Sequence, residues 1–531
     1  MTFASFAGPF LPELVILAGA LLILLLDVLH VRRTEIVGSI AVVTTLVALA
    51  SVLADLGFGP LGALATLPSS QIDVAPAPGA APLYAFTSFG LVFQAIFLVS
   101  TLVVALASTS RPSGARGAPI FFGLLLLATL GMLLVAIASD LIFLLLAIEV
   151  VSIPTYLMTA YTRRDVRSLE AAMKFFVIGA LSSVLSFFGA SLLFGAYGTT
   201  NLYLIRAAGV AVGEPILVLL GYAFLIAGLG FKVTLVPFHA WAVDVYDGAP
   251  DDVSAFLAGG TKKIGVFAFF LVFLGPVLAV NAMGSSGYGL FGGSVALGPS
   301  VQLTLGVLAV VTMTVGNLLA LLQKEMKRML AYSSISQAGY MLIGIAIGTS
   351  PALAGATLQV FAHVLMKTGA FLVVGAVAAL GVGPLIDDWR GMGLRRPLLG
   401  TAFGLMLLSL AGVPLTVGFV SKFVLFSAAV DARGWFIWLA VAGLLNSALS
   451  VFYYARVLKV MFFESAPAPL PGPVAIEGAS EPEILPVGGL GYGRAAAIGL
   501  LAVLIVAFGI YPQPVLGAIQ SAASHFVQIG A

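Results

Sequence analysis

Apolar runs that are long enough to cross a lipid bilayer follow one another along almost the whole chain. A helix of about 20 apolar residues spans the hydrocarbon layer of a membrane. The runs lie near residues 9–29, 36–57, 83–108, 118–138, 140–161, 170–195, 215–236, 252–279, 300–322, 328–347, 353–381, 398–430, 435–460 and 494–512. Backbone polar groups inside a membrane must be satisfied within the segment, so runs of this length form helices. The sequence therefore predicts an all-α polytopic membrane protein with about 14 transmembrane helices in a single membrane domain, residues 1–531.

The composition excludes several classes of protein. Hydrophobic residues make up 61% of the chain and charged residues 9%, whereas soluble domains carry roughly 25% charged residues. Cysteine is absent, which removes disulfides, thiol chemistry and cysteine-ligated iron–sulfur clusters. The four histidines are scattered, and there is no glycine-rich phosphate loop and no basic run with interleaved aromatic residues. We therefore expect this chain to bind no cofactor, metal or nucleic acid itself.

The placement of lysine and arginine predicts the orientation of the helices. Counted from the N-terminus, the odd-numbered loops hold Arg32, Arg33, Arg111, Arg116, Arg163, Arg164, Arg167, Lys324, Lys327, Arg328, Arg390, Arg395, Arg396, Arg456, Lys459 and Arg494. The even-numbered loops and both tails hold only Arg206 and Arg433. Because basic residues favour cytoplasmic loops, we predict that the odd-numbered loops lie in the cytoplasm and that both termini lie outside.

One odd-numbered loop, residues 237–252, departs from this pattern. It has no lysine or arginine and carries Asp244, Asp247, Asp251 and Asp252. Acidic residues have little influence on topology. The loop is therefore either a solvated acidic segment or an entrance that attracts protons.

Two segments rich in proline, glycine and alanine, residues 58–82 and 465–491, interrupt the apolar pattern. Such compositions are typical of connecting loops without a fold of their own. The second segment contains Glu477, Glu481 and Glu483, which we expect to form a solvated cytoplasmic surface.

A lysine inside an apolar run is the strongest pointer to function. Lys232 lies in FKVTLVPFHAWAVDVYDGAP, residues 231–250, shortly before Pro237 and His239. A lysine at the membrane centre costs roughly 2.5–3.5 kcal/mol on insertion scales, so such residues usually face a polar interior or a water-filled path. Proline removes a backbone donor and leaves carbonyls free to bind water or a cation. The stretch predicts a titratable charge beside a broken helix; the alternative is a lysine that extends to the membrane interface next to a kink.

Other charged residues also lie inside apolar runs. Besides Lys232, the basic ones are Lys174, Lys262, Lys263, Lys367 and Lys422. The acidic one is Glu149, in LLLAIEVVSIPTYL; a buried carboxylate and a buried ammonium group stabilise each other when they are close. Lys262 and Lys263 follow glycines that interrupt the eighth run, and His363 and Lys367 share one helix face. The alternative for the His363–Lys367 pair is a polar contact between helices.

Two lysines mark matching places in the two halves of the chain. Lys422 lies in SLAGVPLTVGFVSKF, in the twelfth run, and Lys232 lies in the seventh. The pattern recurs after five helices, and an odd number inverts the orientation of the second copy. We predict inverted repeats over residues 118–279, helices 4–8, and 300–460, helices 9–13. Helices 1–3 within residues 9–108 precede them, and helix 14 at residues 494–512 follows.

A further segment, MKRMLAYSSISQAGY at residues 326–340, begins the tenth run at a cytoplasmic loop. Its serines and its glutamine form a polar face. This face serves either the packing of helices or a function, and the sequence favours neither.

These motifs resemble those of the antiporter-like membrane subunits of respiratory complex I, and among them the subunits N. The matching stretches are FKVTLVPFHAWAVDVYDGAP, SLEAAMKFFVIGALSS, GNLLALLQKEMKRMLAYSSISQAGY, DDWRGMGLRRP, SLAGVPLTVGFVSKF and NSALSVFYYARVLKVMFF. The resemblance implies two inverted five-helix repeats with discontinuous helices 7 and 12. It also implies a proton path along the membrane midplane through Glu149 and Lys232, then Lys263, then Lys422. Four further residues are candidates for this path: His239, Lys262, His363 and Lys367.

The resemblance also implies partners and cofactors. It predicts a proton-translocating subunit of a prokaryotic plasma membrane that couples electron transfer from NADH to quinone to proton pumping. NADH, FMN, iron–sulfur clusters and quinone are then expected in partner subunits, which comprise sister antiporter-like subunits, small membrane subunits and a peripheral redox arm.

Two features depart from the usual subunits N and leave the electron donor open. The His363–Lys367 pair is more typical of the sister subunits. The stretch DGAPDDVSAFLAGGTKK is similar to archaeal relatives that oxidise a reduced deazaflavin in place of NADH. A multi-subunit sodium/proton antiporter of the same ancestry is a further alternative. A scaffold without transport is disfavoured by the buried charges.

Overall fold

The computed structural model describes residues 8–67, 69–74, 80–111, 117–162, 165–208, 215–283, 297–465 and 491–530. Within these ranges the chain consists of helices and connecting segments, and it contains isolated β-bridges but no strand. Several residues named in the topology and loop predictions lie outside the described ranges, namely Arg116, Arg163, Arg164, Glu477, Glu481 and Glu483.

Thirteen helices in the described ranges are long and apolar enough to cross a membrane, and a broken helix at residues 397–431 completes fourteen spans. In chain order the spans are α1 (Leu11–Val28), α2 (Thr34–Asp55), α3 (Ser88–Ser108), α4 (Ala118–Ala136), α5 (Leu141–Thr159), α6 (Val166–Tyr197), α7 (Pro215–Val233 and Ala240–Gly248), α8 (Asp251–Phe256 and Lys262–Met283), α9 (Leu297–Leu321), α10 (Met326–Ile347), α11 (Ser350–Ala378), α12 (Pro397–Ala411 and Val417–Asp431), α13 (Phe436–Phe463) and α14 (Tyr492–Ile510). The shorter helices are Gly8–Phe10, Gly59–Leu64, Ser69–Gln71, Leu202–Ala208, Ile386–Trp389 and Met392–Arg395. The predicted all-α polytopic fold with discontinuous helices 7 and 12 is confirmed. The division into repeats at residues 118–279 and 300–460 stays a prediction.

A C-terminal helix, α15 (Gln513–Gly530), follows the last predicted span. It packs against α3 and α11, and the ring of Phe526 stacks on Phe89 with 4.5 Å between the ring centroids. Its buried residues Ile519, Ala522 and Phe526 recur at helical spacing rather than forming a continuous apolar run. For this reason a search for membrane-spanning runs ends at residue 512 and misses this helix.

The boundary between α4 and α5 depends on one side chain. Asp140 precedes α5, and its carboxylate accepts hydrogen bonds from the backbone N–H groups of Ile142 and Phe143 at 2.9 and 3.1 Å. Such a cap satisfies donors that a helix N-terminus leaves free. The two apolar runs that nearly touch in the sequence are therefore separate helices.

The segment 58–82 was predicted to lack structure of its own, and its described part corrects this. Short 3₁₀ helices form at Gly59–Leu64 and Ser69–Gln71. Asp55, the last residue of α2, accepts hydrogen bonds from the backbone N–H groups of Thr66 and Leu67 at 2.7 and 2.9 Å. A buried carboxylate therefore holds the segment against the end of α2. Residues 466–490 of the second such segment lie outside the described ranges.

The acidic stretch 237–252 is not a solvated loop, because it contains the second half of α7 and its aspartates are ion-paired. The pairs are Asp244 with Lys174 (2.8 Å) and Arg328 (3.1 Å), Asp247 with Arg328 (3.9 Å), Asp251 with Lys327 (3.0 Å), and Asp252 with Arg111 (3.1 Å) and Arg494 (3.0 Å). These partners belong to α6, to the starts of α10 and α14, and to the loop after α3. The four aspartates therefore join helix ends from across the sequence, and this pairing disfavours a free proton-attracting surface.

The centre of the protein is formed by α10 and α11. Their most apolar windows are 94% and 100% buried by other parts of the protein, whereas the corresponding share is 33% for α6. The faces that α10 and α11 share are nevertheless polar, with Ser333, Ser334, Gln337, Gln359, His363 and Lys367 all fully buried. Polar groups sheltered from lipid in this way form the interior in which the candidate site lies.

Candidate functional site

The break in α12 positions Lys422. This buried lysine donates from Nζ to the carbonyl oxygens of Leu410 and Ala411 at 2.8 and 3.1 Å, and to the hydroxyl of Ser447 at 2.9 Å. The two carbonyls lie at the end of the first half of α12, where the following residues supply no helical N–H partner. The negative end of a helix dipole also favours a cation at this place. The broken helix therefore creates the acceptors that hold the ammonium group.

Gly412 makes this arrangement possible. Its φ of +91° is in the left-handed region, and a Cβ there would lie 3.1 Å from Cδ of Lys422. Glycine adopts such a conformation without steric cost. Gly412, which precedes Lys422 in SLAGVPLTVGFVSKF, thus ends the first half of α12 and leaves room for the lysine.

The break in α7 positions Lys232 differently. This half-buried lysine lies in the last turn of the first half, and its Nζ donates to the hydroxyl of Ser152 on α5 at 2.6 Å. The ammonium group also lies 5.7 Å from the ring centroid of Tyr156, within cation–π range. Lys232 is therefore held by α5 side chains, whereas Lys422 is held by the carbonyls of its own broken helix.

Glu149 lies on α5, one turn before Ser152. Its carboxylate accepts a hydrogen bond from the hydroxyl of Ser183 on α6. Within the described residues it forms no ion pair with Lys232, because Nζ of Lys232 donates to Ser152 instead. That the two charges stabilise each other stays a prediction, since the two groups form no direct ion pair. Ser152, which contacts Lys232, lies one turn from Glu149 on α5, whereas the serine that bonds Glu149 is Ser183 on α6.

The remaining candidates meet where α8, α10 and α11 converge. Nζ of Lys263 lies 2.7 Å from Nδ1 of His363, and Nε2 of His363 lies 3.5 Å from the hydroxyl of Ser334. Nζ of Lys262 donates to the carbonyl oxygen of Ser334 at 2.6 Å. Lys367 donates to the hydroxyl of Ser333 and to the carbonyl oxygen of Leu330, the latter at 2.8 Å. We call Lys262, Lys263, His363 and Lys367 the central cluster.

A π-helical turn at Leu257–Thr261 directly precedes Lys262 and Lys263 and positions them in this cluster. Gly259 lies so close to Thr368 that a Cβ there would collide with its hydroxyl. A π turn shifts the hydrogen-bond register of the helix, and the carbonyl oxygen of Ala258 accepts a hydrogen bond from Nζ of Lys263 at 2.9 Å. The glycine interruption seen in the sequence is therefore a local widening of α8.

The central cluster carries an excess of groups that can be positive. All four side chains are at most 3% exposed, and no described carboxylate forms an ion pair with any of them. Like charges at such short range disfavour one another, and burial disfavours each charge. The cluster is therefore suited to holding few protons shared among several bases. The described residues contain no group of three or more metal-ligating side chains.

Two glutamines lie between the central cluster and Lys422, and neither was predicted to belong to the proton path. Gln359 on α11 donates from Nε2 to Oε1 of Gln337 on α10 at 2.6 Å, and the hydroxyl of Ser421 donates to Oε1 of Gln359 at 2.6 Å. Gln359 lies one helical turn before His363, which is a signal that helical spacing could have revealed. Gln337 and Ser334 belong to the polar face of MKRMLAYSSISQAGY, whose role the sequence left open.

Two residues from the sequence analysis lie apart from these contacts. Nδ1 of His239, at the start of the second half of α7, is buried and makes no hydrogen bond with the described residues. Lys174 is partly exposed and pairs with Glu170 and Asp244, each at 2.8 Å. Lys174 therefore belongs to the ion pairs at the helix ends rather than to the buried line of charges.

Comparisons with known proteins identify the family. The family model described as "NADH:quinone oxidoreductase/Mrp antiporter, TM" matches residues 138–450. F(420)H(2) dehydrogenase subunit N of Methanosarcina mazei is 38% identical over 527 residues, which cover 97% of this chain and 98% of that protein. NADH-quinone oxidoreductase subunit N of Rhodospirillum rubrum is 35% identical over 527 residues, 98% of each chain.

A solved structure agrees with these relatives. A chain of respiratory complex I from Thermus thermophilus with bound aureothin superposes with a TM-score of 0.72 at 29% sequence identity, and the match covers 96% of this chain and 99% of that one. The matched region of the family model contains Glu149, Lys232, the central cluster and Lys422. The chain therefore belongs to the NADH:quinone oxidoreductase/Mrp antiporter family of polytopic membrane subunits, and the two relatives named above are subunits N of that family.

Proposed function

We propose that this chain is the proton-translocating membrane subunit N of an NADH:quinone oxidoreductase complex. In this role it moves protons through Glu149, Lys232, Lys263 and Lys422 while partner subunits transfer electrons to quinone. One observation carries the proposal: buried titratable groups lie on both broken helices and in the centre between them. Charges at membrane depth mark ion paths.

In this proposal each group has its own task, and its contacts support that task. Glu149 and Lys232 exchange protons by way of the face of α5 that carries Ser152. In the central cluster, the contact between Lys263 and His363 needs one donor and one acceptor, so it holds a proton on either side. His363 has a second ring nitrogen towards Ser334, which allows a proton to enter at one nitrogen and leave at the other. Lys262 and Lys367 raise the local positive potential and favour release. Lys422 completes the line.

The redox chemistry belongs to partner subunits. The sequence lacks cysteine, and the described residues offer no clustered metal ligands. NADH, FMN, iron–sulfur clusters and quinone are expected in a peripheral arm and in other membrane subunits, and the multi-subunit relatives support this arrangement. The complex is expected in a prokaryotic plasma membrane. Sister antiporter-like subunits and small membrane subunits are expected beside this chain.

A second electron donor has specific support. The relative from Methanosarcina mazei, at 38% identity, is a subunit of a dehydrogenase named for F(420)H(2). A reduced deazaflavin is therefore the alternative to NADH, and the proton path in this chain would be the same for both. Sodium/proton exchange without a redox reaction is the other alternative, because the matching family includes Mrp antiporters.

One experiment separates these readings. The complex is purified through an affinity tag on this chain, reconstituted into vesicles with quinone, and supplied with NADH or with a reduced deazaflavin. We expect proton uptake, measured by quenching of a pH-sensitive dye, with NADH as donor. Uptake with the deazaflavin alone would assign the other donor. Proton movement driven by a sodium gradient, without any donor-dependent uptake, would contradict the proposal in favour of an antiporter.

The orientation has its own test. We propose that both termini lie outside and that the loop before α6 is cytoplasmic; the joint position of Arg111, Lys327, Arg328 and Arg494 around the paired aspartates supports one common side for their loops. Because the chain has no cysteine, Arg167→Cys and Ala207→Cys provide single labels on loops of opposite predicted sides. In intact cells, a membrane-impermeant maleimide should label the variant at 207 and spare the one at 167. The reverse result would invert the assignment.

A further inference from the structure

The connection between the central cluster and Lys422 runs through an amide pair. Gln337 and Gln359 are fully buried and bonded to each other at 2.6 Å. Gln337 also donates to the carbonyl oxygen of Leu410 at 3.4 Å, and the same oxygen accepts from Lys422 at 2.8 Å. On the other side, Gln337 lies one turn from Ser334, and Gln359 lies one turn from His363. The pair therefore lies between two buried titratable sites.

Amides differ in kind from the groups on either side. A relay residue must accept a proton at one atom and release another from the same group, as imidazole and hydroxyl groups do. A glutamine has an acceptor oxygen and an NH₂ group that keeps both protons at any physiological pH. Exchanging the two ends of an amide leaves this unchanged, because one end still only accepts and the other only donates. A direct amide–amide hydrogen bond therefore interrupts proton hopping even though it joins the two side chains.

We propose that the Gln337–Gln359 pair is a proton barrier between the central cluster and Lys422, and that protons pass only while the amide–amide bond is open and water takes its place. This inference rests on the proposed function, since it presumes that protons move along this line. A barrier here keeps the two halves from equilibrating freely, which a pump needs because a continuous open path would dissipate the gradient. It also explains why two buried amides lie in a path otherwise made of titratable and hydroxyl groups.

One hydroxyl group offers an alternative route. Tyr454 on α13 is buried, and its hydroxyl lies next to the side chains of Ser333 and Gln337. A phenol relays protons where an amide does not. The test must therefore include this side chain.

The barrier is tested by making it titratable. Gln359→Glu keeps the shape of the side chain and supplies a group that both binds and releases a proton, and Gln337→Glu places that group on the opposite helix. In reconstituted complex without electron donor, under an imposed potassium diffusion potential, we expect both variants to show a several-fold faster proton leak. Gln359→Met removes the amide–amide bond but fills the same space with an apolar side chain that excludes water and carries no titratable group, so its leak should equal that of the parent. Gln323→Glu, at the end of α9 and away from the pair, serves as the matched control.

The outcomes separate the barrier from the proposed function. Adding Lys422→Met to Gln359→Glu should abolish the leak, and adding Tyr454→Phe should leave it in place. Parental leak in both glutamate variants, with pumping still blocked by Lys422→Met alone, would overturn the barrier and leave the proposed function standing. If adding Tyr454→Phe to Gln359→Glu removes the leak, the proton crosses between the central cluster and Lys422 through the phenol of Tyr454. This result would also overturn the barrier. Parental pumping in Lys422→Met would instead contradict the proposed function.

Discussion

Replacing Lys422 with arginine is expected to reduce proton uptake by the assembled complex by roughly a hundredfold, the scale on which a positioned proton-transfer group acts. Arginine keeps the positive charge and can still donate to the carbonyl oxygens of Leu410 and Ala411, which Nζ of the lysine contacts at 2.8 and 3.1 Å. However, a guanidinium group does not release its proton in a protein. Lys422→Met should fail as well, because it holds no proton.

The same pair of substitutions at Lys232 should have the same effect by the same reasoning. Lys232 donates to Ser152 rather than to free carbonyls, so the two sites share chemistry without sharing contacts. If these lysines only stabilised the broken helices, the arginine variants would keep most of the charge and function. The contrast between arginine and methionine therefore distinguishes a titrating lysine from a structural cation.

The measurement is dye-monitored proton uptake by reconstituted complex, normalised to the amount of assembled protein. Lys459 supplies the matched control, because it lies on α13 with 71% of its side chain exposed and, among the residues that the structure describes, pairs only with Glu464. Lys459→Arg and Lys459→Met should pump at the parental rate. Near-parental uptake in Lys422→Arg and Lys232→Arg, with loss only in the methionine variants, would show that a fixed charge is sufficient and that the titrating mechanism is wrong.

Glu149→Gln is expected to lower proton uptake by at least about tenfold while leaving assembly intact. The amide retains an oxygen that can accept the hydrogen bond from Ser183, so the contact between α5 and α6 is preserved. What it loses is the ability to bind and release a proton next to the face of α5 that holds Lys232. The expected loss is therefore chemical rather than structural.

Glu170→Gln is the control for this substitution. Glu170 lies on α6, is 61% exposed and pairs with Lys174 at the surface, where ion pairs contribute little. Its variant should assemble and pump as the parent does. Ser183→Ala removes the hydrogen bond to Glu149 and keeps the carboxylate, so it should cost less than Glu149→Gln. Equal uptake by Glu149→Gln and the parent would return Glu149 to a structural role.

The local features of the sequence predicted the framework well. The bilayer demands about 20 apolar residues for each crossing, so run length alone located the spans. The helix interruptions before Lys263 and Lys422 could also be predicted from the sequence, because glycine and proline act on the backbone of their own helix. The observed π turn at Leu257–Thr261 and the break at Gly412 lie at these places.

Features that depend on partners distant in sequence were predicted less well. The aspartates of residues 237–252 were interpreted as a solvated loop or as an entrance for protons. Their ion pairs could not be predicted, because their basic partners come from four other parts of the chain. The helix α15 was missed because its apolar face has meaning only against α3 and α11. The serines that hold Glu149 and Lys232, namely Ser183 and Ser152, were not predicted, because they lie 34 and 80 residues away in the chain.

The sequence alone thus determined the number and kind of membrane-spanning helices, the places where they break, and the titratable groups that they carry, since each of these follows from residues adjacent in the chain. Only the tertiary structure decided which groups meet. Lys263 and His363 are 100 residues apart yet lie 2.7 Å from each other, and Gln337 and Gln359 stand between that pair and Lys422 only because α10, α11 and α12 converge. The physical reason is that hydrogen bonding acts over a few ångströms, so the connection of the site is set by how the helices pack and not by their order in the sequence.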